Sequence, residues 1–217
     1  MTRLTFEPAF AVIPIKRFDH SKTRLGELLG AAERGELARR MFEHVLAASL
    51  GCTALAGVLV VSDSAEIAQL ARERGAQALA DPPAREGDVR ARLAQVVDAA
   101  LAHLRAQRAG AALVLMADLP LLRSSDLDQL LAALEHHDLV LAPDARGQCT
   151  NALALRLGAD AAVQFQSAFG SAQSLAEHEA RARALGLSLW REPNPRLALD
   201  IDLPADLDAL ARSREDG

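Results

Sequence analysis

Apolar residues along this chain fall into short unbroken runs, separated by longer stretches in which they recur every three or four positions. The runs FAVIPI (10–15), GVLVVS (57–62) and AALVLMAD (111–118) lack polar alternation, the mark of strands covered on both faces. DLVLAPD (138–144), NALALRL (151–157), LSLWRE (187–192) and LALDID (197–202) read as further short strands. Helical periodicity predicts helices over about 31–50, 64–74 and 174–185, one ending near Arg108, and one capped at Ser124 or Ser125. Pro204 then opens a terminal helix in the first-turn position that proline favours, and DPPAREGD (81–88) reads as a loop. Strands alternating with helices predict a single α/β domain, a three-layer sandwich around a mainly parallel sheet. In such sheets ligands gather outside the carboxyl ends of the strands, so the residues following each run carry the functional expectation.

Half of the residues are apolar, enough for a continuous core, but only 3% are aromatic and none is Tyr, so the layers must pack through Ala and Leu. A net charge of −5 argues against nucleic acid and against an acidic membrane surface. Cys52 and Cys149 show no metal-ligand spacing, which suits a reducing compartment. The first eight residues carry charges of both signs instead of an apolar signal segment, and no apolar run reaches membrane-spanning length. A soluble cytoplasmic protein is expected.

The segment PIKRFDHSKTRL (14–25) holds both lysines of the chain, Lys16 and Lys22, while the other 22 of its 24 basic residues are Arg. With Arg17 and Arg24 they place four cations after the first strand of an acidic protein, an arrangement suited to a polyphosphate. Lys is a compact point charge where Arg is a planar fork, so its confinement to this loop points to pocket geometry. The alternative is a solvated basic loop. Asp118 ends the run AALVLMAD with Pro120 behind it, a poor place for a helix cap and a good one for a ligand. Asp200 and Asp202, two apart, share one face if their segment is extended, and with Asp118 could converge on Mg²⁺. Solvated and capping carboxylates are the plainer account of that pair. The loops around Gly147, Thr150 and Asn151, and around Gly170, Ser171 and Ser174, offer backbone and hydroxyl donors for an anion, or else ordinary turn chemistry. The six histidines form no triad or zinc pattern.

The blocks AVIPIKRFDHSKTRL, ADLPLL, PD…TNAL, FG…S…H and ALDIDLPADL, in this order, resemble the 2-phospholactate guanylyltransferase family (CofC/FbiD) over about residues 10–210. The resemblance implies a Rossmann-like nucleotidyltransferase sandwich related to molybdenum-cofactor guanylyltransferases. It implies GMP transfer from GTP, with Mg²⁺, to a small phosphorylated acid during coenzyme F-420 biosynthesis. The acid would be 2-phospho-L-lactate, phosphoenolpyruvate or 3-phosphoglycerate, and the product would pass to a downstream phosphoacid–deazaflavin transferase. By motif, Asp118, Asp200 and Asp202 would hold the metal, and Lys16, Lys22 and Arg24 would face the GTP phosphates. Gly87 and Arg90 fall in the family's Gly-Leu-Asn-x-x-Leu segment, here GDVRARL (87–93), with Arg90 at the Asn position of the nucleotide site. Cys149, Thr150, Asn151, Gly170 and either Ser171 or Ser174 would contact the acid; FGSAQS is one residue longer than the family's FG-x-x-S, and Cys149 stands where Gly is commoner. Rival readings are a sugar-phosphate or molybdenum-cofactor nucleotidyltransferase, whose Gly-rich first loop is absent here, a glycosyltransferase, whose Asp-x-Asp follows a central strand, and a non-catalytic nucleotide-binding domain.

Overall fold

In a computed structural model, residues 8–83, 91–158, 162 and 164–215 are described. The strands are β1 (Ala9–Pro14), β2 (Gly57–Ser62), β3 (Gln77–Ala80), β4 (Ala111–Leu115), β5 (Leu139–Pro143), β6 (Thr150–Arg156) and β7 (Leu189–Arg191). The helices are α1 (Ala31–Leu50), α2 (Ala65–Glu73), α3 (Arg92–Ala106), α4 (Ser124–Leu134), α5 (Ser174–Ala184), α6 (Pro195–Ala198) and α7 (Pro204–Glu215). All seven strands join one sheet in the order β3-β2-β1-β4-β6-β5-β7. β6 runs against β4 and β5, and every other pairing is parallel.

The unbroken apolar runs are explained by what covers them. In β4, Ala111, Leu113 and Leu115 pack toward one layer with Phe42 and Val45 of α1, Ile67 of α2 and Leu130 of α4. Ala112 and Val114, pointing the other way, join Val97 and Leu101 of α3 and Leu175 of α5. The same alternation runs through β1, β2, β5 and β6, so both faces of the sheet are dry and the molecule has three layers. The chain leaves β1 for β2 and β3 on one side, then returns to β4 on the other. This reversal opens a crevice beyond the carboxyl ends of β1 and β4. No helix among the described residues is long and apolar enough to cross a membrane.

Three expectations need correction. Residues 197–202 are not a strand: Asn194 caps α6 through Arg196 N–H (2.9 Å), with Pro195 at its start, and residues 199–203 continue without ladder partners. β4 ends at Leu115, so Asp118 lies in a turn three residues past the strand. Helix α4 is capped by neither serine. Asp126 reaches back to accept the Arg123 N–H at 2.9 Å, while Ser124 Oγ donates to the Ala48 carbonyl.

A third, small apolar cluster decides where the 16–24 loop and the 200–202 segment sit. Leu25, Met41 and Ile201 are wholly or nearly buried together, flanked by Leu29, Leu37, Leu199 and Leu207. Leu25 lies just past Lys22 and Arg24, and Ile201 lies between Asp200 and Asp202. Burying these two side chains against each other brings the basic loop onto the acidic segment.

Candidate active site

The basic loop leaves β1 through two single 3₁₀ turns, Phe18–His20 and Thr23–Leu25. Between them Lys22 adopts the left-handed conformation (φ 55°), which costs a non-glycine residue roughly 1–2 kcal/mol. That backbone aims the side chain inward. Lys22 Nζ donates to Asp118 and, at 2.9 Å, to Asp202, with only 8% of its side chain exposed. Burial works against the ammonium ion, but the charges of Asp118 and Asp202 outweigh it and hold its pKa above the usual lysine value. Arg24 reaches Asp202 at 3.8 Å from a largely exposed position, and Lys16 is exposed at the mouth of the crevice.

Asp118, Asp200 and Asp202 each offer a carboxylate oxygen within 4.8 Å of the others. Ile201 turns into the core and the two flanking aspartates turn out of it, so the expected alternation survives without a strand. Asp202 is spared from capping because Asp206 caps α7, accepting the N–H groups of Asp202 (2.8 Å) and Leu203 (2.6 Å) and pairing with Arg146 at 2.6 Å. Asp200 is steered by Asn151, whose Nδ2 donates to Asp200 Oδ1 (3.1 Å) and to the Leu197 carbonyl (3.0 Å). Burial first, and then the neighbouring Asp118 charge, push the Asp200 carboxyl up to about 6. Three carboxylates with oxygens within 4.8 Å of one another, two of them bonded to an ammonium group, form a donor set that a hard divalent cation satisfies, so the residues fit Mg²⁺.

Two clefts meet at this trio. One, of about 240 Å³, lies over the ends of β1 and β2 and includes Lys16, Lys22, Val61 and the Asp81–Arg92 ion pair (3.0 Å). The other, of about 550 Å³, lies among the 144–151 and 169–174 loops and the 200–203 segment. Asp118, Leu93 and Met116 line both.

The second cleft's loops are held from behind. Thr150 N–H donates to Ser174 Oγ at 3.0 Å, both residues being buried. His178, fully buried, accepts the Ala168 N–H at Nε2 (2.7 Å) and so carries its proton on Nδ1, facing Thr150 Oγ1 at 3.0 Å. Burial, helped by Arg181, drives its pKa down to about 3. Asp144 accepts the N–H groups of Gln148 (2.7 Å) and Cys149 (2.8 Å), closing a turn in which Gly147 has φ +67°. Gly170 (φ +87°) lets its loop lie on the start of α3, where an added Cβ would stand 2.9 Å from Ala91 Cβ. Ser171 Oγ is half-exposed and bonds Glu177.

The structure therefore brings together Lys16, Lys22, Arg24 and the three aspartates, and lines the second cleft with Cys149, Thr150, Asn151, Gly170, Ser171 and Ser174. Gly87 and Arg90 lie outside the described residues. Asn151, Thr150 and Ser174 spend much of their hydrogen-bonding capacity on the protein itself. Asp81, Arg92 and Arg146 were not singled out from sequence, while Asp144, His178 and Asp206 stand in the quoted blocks without a role assigned to them. A buried histidine or a capping aspartate looks like any other until its partners are known.

Two of the shifted groups, Asp200 and His178, give a pH signature. Asp200 binds a proton more tightly folded (about 6) than unfolded (3.8), so its stabilising contribution is complete below 3.8 and is lost as pH rises through 6. His178 is the reverse: its contribution is complete above 6.5 and is lost as pH falls toward 3. Without added metal, Asp200→Asn is expected to melt above the parent at pH 7 and to lose that advantage by pH 4. A melting difference equal at both pH values would contradict the buried charge.

Comparison with known proteins places the chain among its relatives. Residues 9–214 match the family model described as "Guanylyl transferase CofC like". A phosphoenolpyruvate guanylyltransferase of Sphaerobacter thermophilus is 39% identical over 205 residues, covering 93% of this chain and 91% of the relative. A 3-phospho-D-glycerate guanylyltransferase of Phenylobacterium zucineum is 36% identical, covering 94% and 90%. A nucleotidyl transferase from Methanothermobacter superposes with a TM-score of 0.62 at 16% identity, over 95% of this chain and 99% of that one, which establishes the nucleotidyltransferase fold. On the match to nearly its whole length, the chain belongs to the CofC-like guanylyl transferase family.

Proposed function

We propose that this protein transfers GMP from GTP to a small phosphorylated acid of the phosphoenolpyruvate, 3-phosphoglycerate or 2-phospho-L-lactate type, releasing pyrophosphate, in coenzyme F-420 biosynthesis. The observation that carries this reading is the position of Asp118, on the seam between two clefts with Asp200, Asp202 and Lys22 around it. GTP takes the first cleft, its triphosphate toward Lys16, Lys22 and Arg24. The acid takes the second, against the loops around Cys149, Thr150 and Gly170 and the Ser171 hydroxyl, with Asn151 and Ser174 holding that wall.

A phosphate oxygen of the acid attacks the α-phosphorus of GTP, forming the new O–P bond as the bond to the β-phosphate oxygen breaks. The attacking phosphate is already anionic, so no base need remove a proton. That agrees with His178 being buried, neutral and committed to Ala168 and Thr150. The difficulty is charge. Lys16, Lys22 and Arg24 neutralise the leaving pyrophosphate, a type of contact worth about 3–4 kcal/mol of barrier each. Asp118, Asp200 and Asp202 would hold Mg²⁺, which supplies Lewis-acid stabilisation of phosphate charge when bound. The product is a reactive mixed diphosphate, which suits hand-off to the phosphoacid–deazaflavin transferase in the cytoplasm.

Incubation with GTP, Mg²⁺ and each of the three acids, with mass spectrometry of the products and the downstream transferase present or absent, tests the reading. Pyrophosphate release that depends on one acid, with a GMP–acid adduct, is expected. GTP consumption independent of all three would exclude it.

A further inference from the structure

The carboxylate trio already has a cation seated in it, and that cation belongs to the chain. We propose that Lys22 is the trio's internal counter-ion, bound to Asp118 and Asp202 in the ligand-free protein and transferred to the triphosphate when a divalent ion takes over those oxygens. This rests on the nucleotide-transfer reading above and adds a second station for the same side chain.

Three features support it. Three carboxylates within 4.8 Å would repel one another strongly in a half-buried site without a positive partner, and Lys22 Nζ is hydrogen-bonded to two of them. The arrangement does not depend on a ligand, because Leu25 and Ile201 clamp the two segments from behind. The side chain is also a lysine. A guanidinium would grip a carboxylate through two parallel bonds and stay, whereas an ammonium on a flexible four-carbon stem pivots between acceptors a few ångströms apart. Lys22 borders the first cleft as well as bonding the trio, so both stations lie within its reach.

A divalent ion arriving alone must displace Lys22 and leave it unpaired. One arriving with a triphosphate gives the displaced ammonium new oxygens, so metal and nucleotide strengthen each other's binding. Replacing Lys22 by an apolar residue removes the competitor. Calorimetry of Mn²⁺ binding without nucleotide should therefore show Lys22→Met at least about 10-fold tighter than the parent, within the usual range of coupling between sites. Arg24→Met removes the same charge from a position 3.8 Å from Asp202 and 71% exposed, and should change the affinity less than about threefold. Equal effects of the two variants, or no gain in Lys22→Met, would overturn the proposal.

A measurement on the unaltered protein covers the case in which Lys22→Met does not fold. With lysine as the only ¹⁵N-labelled residue, just two side-chain Nζ signals exist, from Lys16 and Lys22. The Lys22 signal should be slowly exchanging in the free protein and should move on saturation with Mg²⁺ and a non-hydrolysable GTP analogue. If calorimetry shows the analogue bound and the Lys22 signal stays put, the second station does not exist. If the analogue does not bind at all, the nucleotide-transfer reading falls, and this inference with it.

Discussion

Asp118→Asn is expected to lower turnover more than about a hundredfold while the protein stays folded. The amide keeps the size of the carboxylate and half of its acceptor capacity, so the turn after β4 has no reason to rearrange. It removes the one negative charge shared by both clefts and leaves Lys22 with Asp202 alone. Relief of repulsion within the trio offsets the lost ion pair, so the melting temperature should stay within a few degrees of the parent. Asp202→Asn should behave alike. Turnover near that of the parent in both variants would remove the aspartates from the chemistry. Circular dichroism and melting curves on the same samples separate loss of function from loss of fold.

Asp126→Ala is expected to have the largest effect on stability, about 3 kcal/mol. Asp126 is completely buried and accepts from the Arg123 N–H (2.9 Å), Asn194 Nδ2 (2.8 Å) and Arg196 Nε (3.0 Å). Burial alone would raise its pKa, but Arg196, Asn194 and the Arg123 N–H outweigh burial and hold it below the usual aspartate range. Truncation leaves these donors facing a cavity, although Arg196, about one-third exposed, can recover some hydration. For a chain of this size the loss corresponds to a fall in melting temperature of roughly 6–12 °C. Because Asn194 and Arg196 fix the entry to α6, and α6 leads to Asp200, metal affinity should fall as well. The same truncation at the exposed Asp208 should leave both within error. A melting temperature unchanged in Asp126→Ala would mean that this carboxylate anchors nothing.

Much of the architecture was legible because burial imposes period. GVLVVS and the stretch from Ala31 to Leu50 emerge with the bounds their patterns suggest, since β2 is covered on both faces and α1 on one. LALDID failed because alternation is necessary for a strand and not sufficient. Ile201 is buried by Leu25 and Met41 instead of by a neighbouring strand, and Asn194-Pro195 had already begun a helix. The aspartates could be picked out since carboxylates directly after an apolar run have few structural uses. The ion pairs of Lys22 could not: a basic loop after the first strand fits a phosphate pocket whether or not the lysine also reaches acids far along the chain. His178 stands in the FG…S…H block, but what it does there was not legible, for a related reason. Its two partners, Thr150 and Ala168, lie on other segments, and nothing in SLAEHEARARA marks one position as buried among aromatic rings.

The clasp of Leu25, Met41 and Ile201 has a consequence for biosynthesis. Lys22 and Asp202 are 180 positions apart. At translation rates of about 5–20 residues per second, the amino-terminal half of the clasp waits roughly 10–35 s for the half that completes it. Until then Leu25 and Met41 lack the residue that closes their cluster. On the proposed reading, the site is assembled only once the 200–202 segment has left the ribosome.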